Sequence, residues 1–392
     1  MFNRLVFLIT FAVFRALARI WKPTPRKLKA SELKTILVFS AAGIGDTLTD
    51  SVAIRALKET YRKATVIVVT HRRRAALVRH NPYADEVVVY HKSFWTFLRL
   101  VRLLRGKKPD VVIMLRGNDP DLWPMAWLVD RHAVVSCPVM TRFGFLIAYP
   151  VKIPDWDHLH GVEQTLQIVR TLGADTKDKR LVYEVREVER FQMRERLERH
   201  GLRAEDPMVI FQVGGGRRSS WRDWPVEHYV ELGRRLLRRS RARLVLTGGI
   251  EHCEKAALIH AGLPDGVIDF TGKVRLEEMA ALLASARILV STDTGVMHLG
   301  FAVGVDTLAL IHCNNPSARV GPYGYAERHL VAQLEPPKGV SVSTQVPMAL
   351  LRPDEVWPKL EELCKRHAIG AIPTAQPKKN PRAGSVAPTR DR

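Results

Sequence analysis

The sequence predicts an α/β protein built from two Rossmann-like, parallel-sheet halves in tandem. Three observations carry that expectation. Short β-rich apolar runs of the kind buried strands use alternate with helix-like segments, glycine loops follow the leading run of each half, and the whole pattern restarts after a charged stretch at 174–206. With 392 residues, 46% apolar, 26% charged and 7% aromatic, the chain has the length of two domains and an ordinary folded composition. That composition excludes a collagen, a coiled coil, a polytopic membrane protein and a wholly disordered chain.

In chain order, Leu5–Phe14 is an apolar stretch closed by Arg15, too short for the roughly 20 residues that cross a bilayer. On a helical plot Arg4, Arg15, Arg19 and Lys22 share one stripe and Ile9, Ala12, Val13, Ala16 and Ile20 lie elsewhere, although Leu8 and Phe11 intrude on the basic side. An interfacial anchor is favoured. A signal peptide ending at Ala16-Leu17-Ala18, which Arg15 disfavours, and a plain core helix stay open. Pro23-Thr24-Pro25 separates this segment from the body.

Thr35–Ser40 reads as a buried strand, Ala41–Asp46 as a glycine loop, and the pattern through Ala53, Leu57 and Tyr61 as a helix. Thr65–Thr70, Glu86–Tyr90 and Asp110–Leu115 repeat the strand signature, with a helix over Ser93–Leu104 and another at Gly161–Leu172. After the charged connector come the strand Met208–Val213, the loop Gly214–Gly216, the helix Pro225–Leu237, the strand Arg243–Thr247, the Gly248-Gly249 loop and the helix Glu254–His260. Strands at Val267–Phe270, Ile288–Ser291 and Thr307–Ile311, with helices at Leu276–Ala286 and Met297–Val303, complete the second half. The expected division is a basic apolar helix over 1–30, a first Rossmann-like domain over 31–175, a connector over 176–206, a second domain over 207–367, and a disordered basic tail over 368–392.

Charge narrows the possible partners. Lys and Arg number 61 against 40 Asp and Glu, a net charge of +21, and about half the excess sits on the two termini. The remainder alternates with acids, as in Val185–His200, which is the pattern of a solvated helix face. No nucleic-acid module is recognisable, so nucleic acid is not expected as a partner. Cys137, Cys253, Cys313 and Cys364 are scattered without metal or redox spacing, consistent with a reducing compartment.

Parallel sheets bind ligands beyond the carboxyl ends of their strands, which directs attention to the glycine loops. Gly43-Ile44-Gly45-Asp46 opens like a dinucleotide fingerprint but lacks a third glycine, and Thr65–Thr70 does not end on an acid, so a nicotinamide site is disfavoured. Asp46 is either a helix cap or a cleft carboxylate. In the second half, Gly214-Gly215-Gly216-Arg217-Arg218 joins bare N–H groups to guanidinium forks, and Thr292-Asp293-Thr294-Gly295 opens a helix. Each alone could be a turn or a cap. Together with Glu251, set where a ribose diol could bind, they suggest a nucleotide diphosphate. Asp119-Pro120-Asp121 and Asp155-Trp156-Asp157 mimic acidic metal motifs, and His158, His160 and His298 could cluster, but capping or packing explains His158 and His160 better and no metal is expected.

Several of these residues resemble one family. Gly45-Asp46, the run Ala53–Lys58, Arg116-Gly117-Asn118, His160–Gln164, Trp224-Pro225, Gly248-Gly249, Thr271-Gly272-Lys273 and Asp293–Leu299 are similar to glycosyltransferase family 9, the bacterial lipopolysaccharide heptosyltransferases, over roughly residues 35–365. The resemblance implies a GT-B architecture, with the acceptor on the first domain and an activated sugar on the second. It implies an inverting transfer in which Asp46 is the general base and Asp293, Thr294, Gly295 and His298 face the donor. Gly214, Gly215, Gly216, Arg217, Arg222, Glu251 and Lys273 complete the candidate donor side, and Gly45, Thr47, Arg116 and Asn118 the acceptor side. No metal or other cofactor is implied. The sequence departs from the family at Arg222, where a lysine is usual, at Val52 in place of a proline, and at Met114 in place of an acid.

The expectation is therefore a transferase of a heptose-like sugar from an ADP-heptose-type nucleotide sugar to a lipopolysaccharide core or related lipid-linked glycan. It would work at the cytoplasmic face of the bacterial inner membrane, touching anionic lipid peripherally. The alternatives are a transferase of the same fold with another sugar nucleotide, and a noncatalytic membrane-attached scaffold.

Overall fold

The structure, a computed structural model, describes residues 2–91, 94–117, 121–215 and 217–370. Asn118, Asp119, Pro120, Gly216, the Arg217 side chain and nearly all of the expected basic tail lie outside the described residues. A first helix α1 (Phe2–Ile20) leads into β1 (Thr35–Ala41), α2 (Ile44–Thr60), β2 (Thr65–His71), α3 (Ala75–Arg79), β3 (Glu86–Tyr90), α4 (Phe94–Gly106), β4 (Val111–Gly117), α5 (Leu122–Asp130), β5 (Val134–Ser136), β6 (Tyr149–Pro150) and α6 (Gly161–Arg170). Their six strands form a parallel sheet ordered β3-β2-β1-β4-β5-β6. The chain therefore reverses its direction of growth between β1 and β4, where a crevice opens at the strand ends.

The second half begins with α7 (Glu187–Arg199), then β7 (Met208–Gln212), α8 (Val226–Arg239), β8 (Arg243–Thr247), α9 (Cys253–Ala261), β9 (Ile268–Asp269), α10 (Leu276–Ser285), β10 (Ile288–Thr292) and α11 (Gly295–Val303). It ends with β11 (Asp306–Ile311), α12 (Ser317–Val320), β12 (Leu330–Gln333) and α13 (Pro353–Arg366). Its parallel order is β12-β11-β10-β7-β8-β9, with the switch between β7 and β10. The apolar strand runs are buried on both sides because helices cover both faces of each sheet. In the first half α2, α3 and α6 pack one face, and α1, α4 and α5 the other.

The connector is helical only over α7, which packs on α10 of the second half. Before it, Leu181, Tyr183 and Val185 are buried in an apolar cluster that runs without a break from α2 and α6 to α10 and α11. Buried Arg55 on α2 reaches the same segment, pairing with the Asp178 carboxylate at 3.1 Å. The halves are thus joined by packing as well as by chain.

Helix α1 resolves the imperfect pattern read from its sequence. Phe11 lies on the side that packs inward: its ring meets Phe143 and Phe145 at 5.5 and 5.3 Å, Phe7 also meets Phe143, and Phe14 meets Trp127 of α5. Leu5, Leu8, Ile9, Val13 and Ile20 point away from that contact and remain exposed. The helix is apolar on two opposite faces, with Arg15 and Arg19 along one flank and Lys22 just beyond its end. Among the described residues, no helix is long and apolar enough to cross a membrane.

Candidate active site

Helix α2 starts where β1 ends. Gly43 is extended, and its N–H donates to Asp46 Oδ2 at 3.0 Å, so Asp46 does cap the helix. Its other oxygen, Oδ1, accepts from Arg116 Nη1 at 2.5 Å, and its side chain is 42% exposed. Asp46 is both cap and cleft carboxylate. Burial raises its carboxyl pKa, but the charge of Arg116, the Gly43 N–H bond and His298 outweigh that and hold it below the usual carboxylate range.

Arg116 is aimed by an irregularity in the sheet. Phe39 of β1 pairs with Met114 and Ser40 pairs with Arg116, so the register slips by one residue and Leu115 is the extra one. Without the slip, alternation would turn Arg116 toward α5; with it, Arg116 joins Leu115 on the side of α2 and α6. There Nη2 donates to Gly161 O at 2.7 Å and Gln164 Oε1 at 3.2 Å, while Nε lies 3.5 Å from Asp50. Thr47 donates its hydroxyl to Gly43 O at 2.9 Å and is buried, which makes it part of the helix start.

The second half presents its loops to the same cleft. Thr294 caps α11 by accepting from the Met297 N–H at 3.4 Å, and the preceding N–H groups of the first turn have no acceptor within the helix. Asp293 is buried: Arg222 Nη1 donates to its Oδ2 at 2.7 Å and to its backbone carbonyl at 2.9 Å, and Asn315 Nδ2 donates to Oδ2 at 2.6 Å. Arg222 lies over the Trp221 ring at 4.5 Å and keeps Nε without a partner. His298 Nε2 is 3.9 Å from Asp293 Oδ1. Burial pushes the imidazole pKa down, more than the Asp293 and Asp46 charges raise it.

The two halves meet where α2 and α11 begin. A Cβ on Gly45 would stand 2.5 Å from the His298 ring, and one on Gly295 would stand 2.6 Å from Ile44 Cβ. Both glycines are required by this close approach. For Gly295 the crowding neighbour is Ile44 of the first half, a reason for glycine that its motif did not reveal. Gly45, Asp46, Arg116, His298, Asn315 and Arg319 line a cavity of about 220 Å³ between the halves. His160 caps α6, donates from Nε2 to Gly321 O at 3.1 Å and stacks on Tyr323 at 4.3 Å. Its pKa falls to about 4, chiefly through burial.

Other expected donor residues sit further out. Gly214 packs so closely on His252 that a Cβ would overlap the ring, and Gly215 lies against Thr294. Glu251 is exposed beside Gly249 in the turn that follows β8. Lys273 turns back on its own loop, donating to Asp269 O at 2.8 Å, and is exposed. Neither Glu251 nor Lys273 touches the Asp293 cluster. Sequence reasoning missed Asn315 and Asp50; the four-residue spacing of Asp46 and Asp50 was the available signal for the second. Among the described residues, no group of three or more His, Cys, Asp or Glu could hold a metal ion.

Two parallel-sheet halves whose strand-end loops confront each other across a cleft, an aspartate on one and an arginine-backed helix start on the other, define a GT-B fold. The chain belongs to glycosyltransferase family 9 (heptosyltransferase), whose family model matches residues 97–348. It is similar to lipopolysaccharide heptosyltransferase 1 of Pseudomonas aeruginosa, 30% identical over 260 residues that cover 62% of this chain and 66% of the relative. It is also similar to lipopolysaccharide heptosyltransferase 1 of Escherichia coli K12, 35% identical over 26% of this chain and 31% of that one. The matches thus span just under two thirds, or only a third, of these relatives' own lengths. Among solved structures, a family 9 glycosyl transferase from Veillonella parvula has a TM-score of 0.71 at 21% identity, covering 85% of this chain and 97% of that one. The E. coli ADP-heptose lipopolysaccharide heptosyltransferase II has a TM-score of 0.67 at 21% identity, covering 85% and 99%. These likenesses establish the fold.

Proposed function

We propose that this chain is an inverting glycosyltransferase that moves heptose from an ADP-heptose-type donor to a lipopolysaccharide core or related lipid-linked glycan. The observation that carries the reading is the confrontation of Asp46 with the start of α11 across one cavity. Asp46 takes the proton of the acceptor hydroxyl. That oxygen attacks the anomeric carbon as the bond to the diphosphate breaks on the opposite side, which inverts the centre and leaves the electron pair on the departing ADP. The N–H groups of α11 and Arg222 face the charge that grows there, so the scheme requires no metal. The relatives' names support a heptosyl group and lipopolysaccharide, and related structures of E. coli WaaC are described with ADP and with ADP-2-deoxy-2-fluoro heptose. Incubation with ADP-heptose and core oligosaccharide tests the reading: ADP release with a product of inverted anomeric configuration is expected, and absence of both with ADP-heptose overturns the donor assignment.

The acceptor side we assign to the cytoplasmic surface of an anionic membrane. Supporting this, the uncovered face of α1 is aliphatic, α4 exposes Leu98 and Leu103 on the same layer, and neither helix carries an acidic residue while Arg15, Arg19, Arg99 and Arg102 are exposed. Each such cation near an anionic surface adds about 1 kcal/mol of attraction to apolar insertion. Deleting residues 1–24 should release the protein from vesicles containing phosphatidylglycerol while activity on a soluble acceptor fragment persists. Unchanged sedimentation with those vesicles would remove α1 from the membrane contact.

A further inference from the structure

Behind the candidate base lies a second carboxylate that the transfer chemistry above does not use. Asp50 follows Asp46 by about one turn on the same face of α2 and is completely buried. Ser40 donates to Oδ2 at 2.6 Å, while Oδ1 has no hydrogen-bond partner and lies 3.5 Å from Arg116 Nε. The opposite edge of the same guanidinium holds Asp46 and α6. One cation is thus shared by two carboxylates, and a buried charge persists only where something compensates it. The register slip at Leu115 brings Arg116 and Ser40 to this spot together.

We infer that Asp50 is a positioning residue for the transfer: it holds Arg116 by its Nε edge and remains as the counter-charge of that arginine when Asp46 takes up the acceptor's proton. The inference rests on Asp46 serving as the base. If Asp46 were the sole partner of Arg116, protonating it would strand a largely buried guanidinium, and Asp46 would be a poorer base at the moment it is needed. Ionised Asp50 removes that penalty. The groups that face the pair are Ser40 from β1, Arg116 from β4, Gln164 and the capping His160 from α6, and His298 from α11. Burial disfavours the charged form of both histidines, which leaves Arg116 as the cation both carboxylates compete for. Burial also pushes the Asp50 carboxyl up to about 7, with Arg116 and Ser40 opposing and Asp46 assisting.

Two readouts on the full chain test this. The first needs no turnover: carbon-13 NMR of labelled aspartates should show the Asp50 midpoint rising in Arg116→Gln and in Ser40→Ala and falling in Asp46→Asn, because interacting groups titrate as a coupled set. A midpoint that ignores both Arg116 and Asp46 overturns the inference even if the enzyme is never assayed. The second is the pH profile of kcat. Wild type should gain activity about three- to tenfold as Asp50 ionises near neutrality, whereas Asp50→Asn should lack that rise with an unchanged donor KM. In Ser40→Ala the rise should move to higher pH, which keeps the test alive if Asp50→Asn folds poorly. In the Arg116→Gln background Asp50→Asn should cost nothing further; an equal loss in both backgrounds would make Asp50 a packing residue and overturn the proposal. Loss of wild-type turnover with ADP-heptose would instead strike the donor reading and leave the NMR result standing.

Discussion

The two sides of the cleft use the same pair of residue types for opposite ends. On each side an arginine grips an aspartate beside the start of a helix: Arg116 and Asp46 at α2, Arg222 and Asp293 at α11. Asp46 keeps a substantial part of its carboxylate open to the cavity. Asp293 is almost wholly covered, its Oδ2 taken by Arg222 and Asn315. An open carboxylate can exchange a proton with a bound hydroxyl; a covered one can only hold other groups in place. On the proposed reading, Asp293 would act on a donor through Arg222 and the α11 start rather than by direct contact. The comparison teaches that a motif residue's chemistry is set by which of its oxygens remains reachable.

The largest expected effect tests the open member of this comparison. Asp46→Asn keeps the shape and the Gly43 contact but removes the base, so kcat should fall about 10²- to 10⁴-fold while donor affinity measured by calorimetry stays near wild type. Equal turnover would mean that the open carboxylate is not the base.

The covered member predicts a smaller, binding-only effect. Arg222→Ala removes a charge-assisted donor and frees Asp293, and ADP-heptose should bind more weakly by about 1.5–3 kcal/mol. Arg222→Lys supplies a point charge without the planar fork. If Arg222 serves mainly to neutralise phosphate, the lysine should recover much of that loss; if it serves to brace Asp293 and the Asn315 contact, the lysine should recover little. Calorimetric titration of both variants separates these.

The smallest effect concerns the tie between the halves. Burial lowers the folded-state pKa of His160 to about 4, against about 6.5 when unfolded, so the unfolded chain binds the proton first. Its contribution is present above pH 6.5 and is lost as pH falls toward 4. Asp50 works the other way: raised to about 7 from about 3.9, it contributes when protonated and loses that contribution as pH rises between those values. His160→Gln removes only the first dependence. The difference in urea midpoint between wild type and variant should therefore be widest near pH 7.5 and narrow toward pH 4.5; a constant difference would show that His160 does not titrate in that window.

How much of this was legible beforehand follows from what each feature depends on. The long strands β1, β2, β4, β7 and β10 are continuous apolar runs, and the restart after the connector announced the second half. Helix α5 escaped notice because Trp123, Met125, Ala126 and Trp127 bury it nearly all round, leaving no polar face to mark a period. The strands β5 and β6 have only three and two residues, too few to alternate visibly, whereas β9 fell inside the expected strand Val267–Phe270. At the site, Asp46 and Asp293 were readable from their glycine loops. The grip of Arg116 was not, because it depends on a one-residue slip between two strands distant in sequence. Asn315 was unreadable for a related reason: it belongs to a loop without a motif and meets Asp293 only in the folded chain.

The contact between Ile44 and Gly295 has an electrostatic consequence. It brings the amino ends of α2 and α11 to one point, and each helix end carries about half a positive charge. Arg116 and Arg222 beside them are already paired with carboxylates, so the peptide dipoles, fixed by the backbone and beyond the reach of titration, act together with Arg319 of the same cavity to attract an anion. Diphosphate-bearing reactants should be drawn into the cleft by a field that dissolved ions weaken. Rising salt should therefore lower kcat/KM for the nucleotide sugar through slower capture, while kcat, measured once the donor is seated, should stay nearly level.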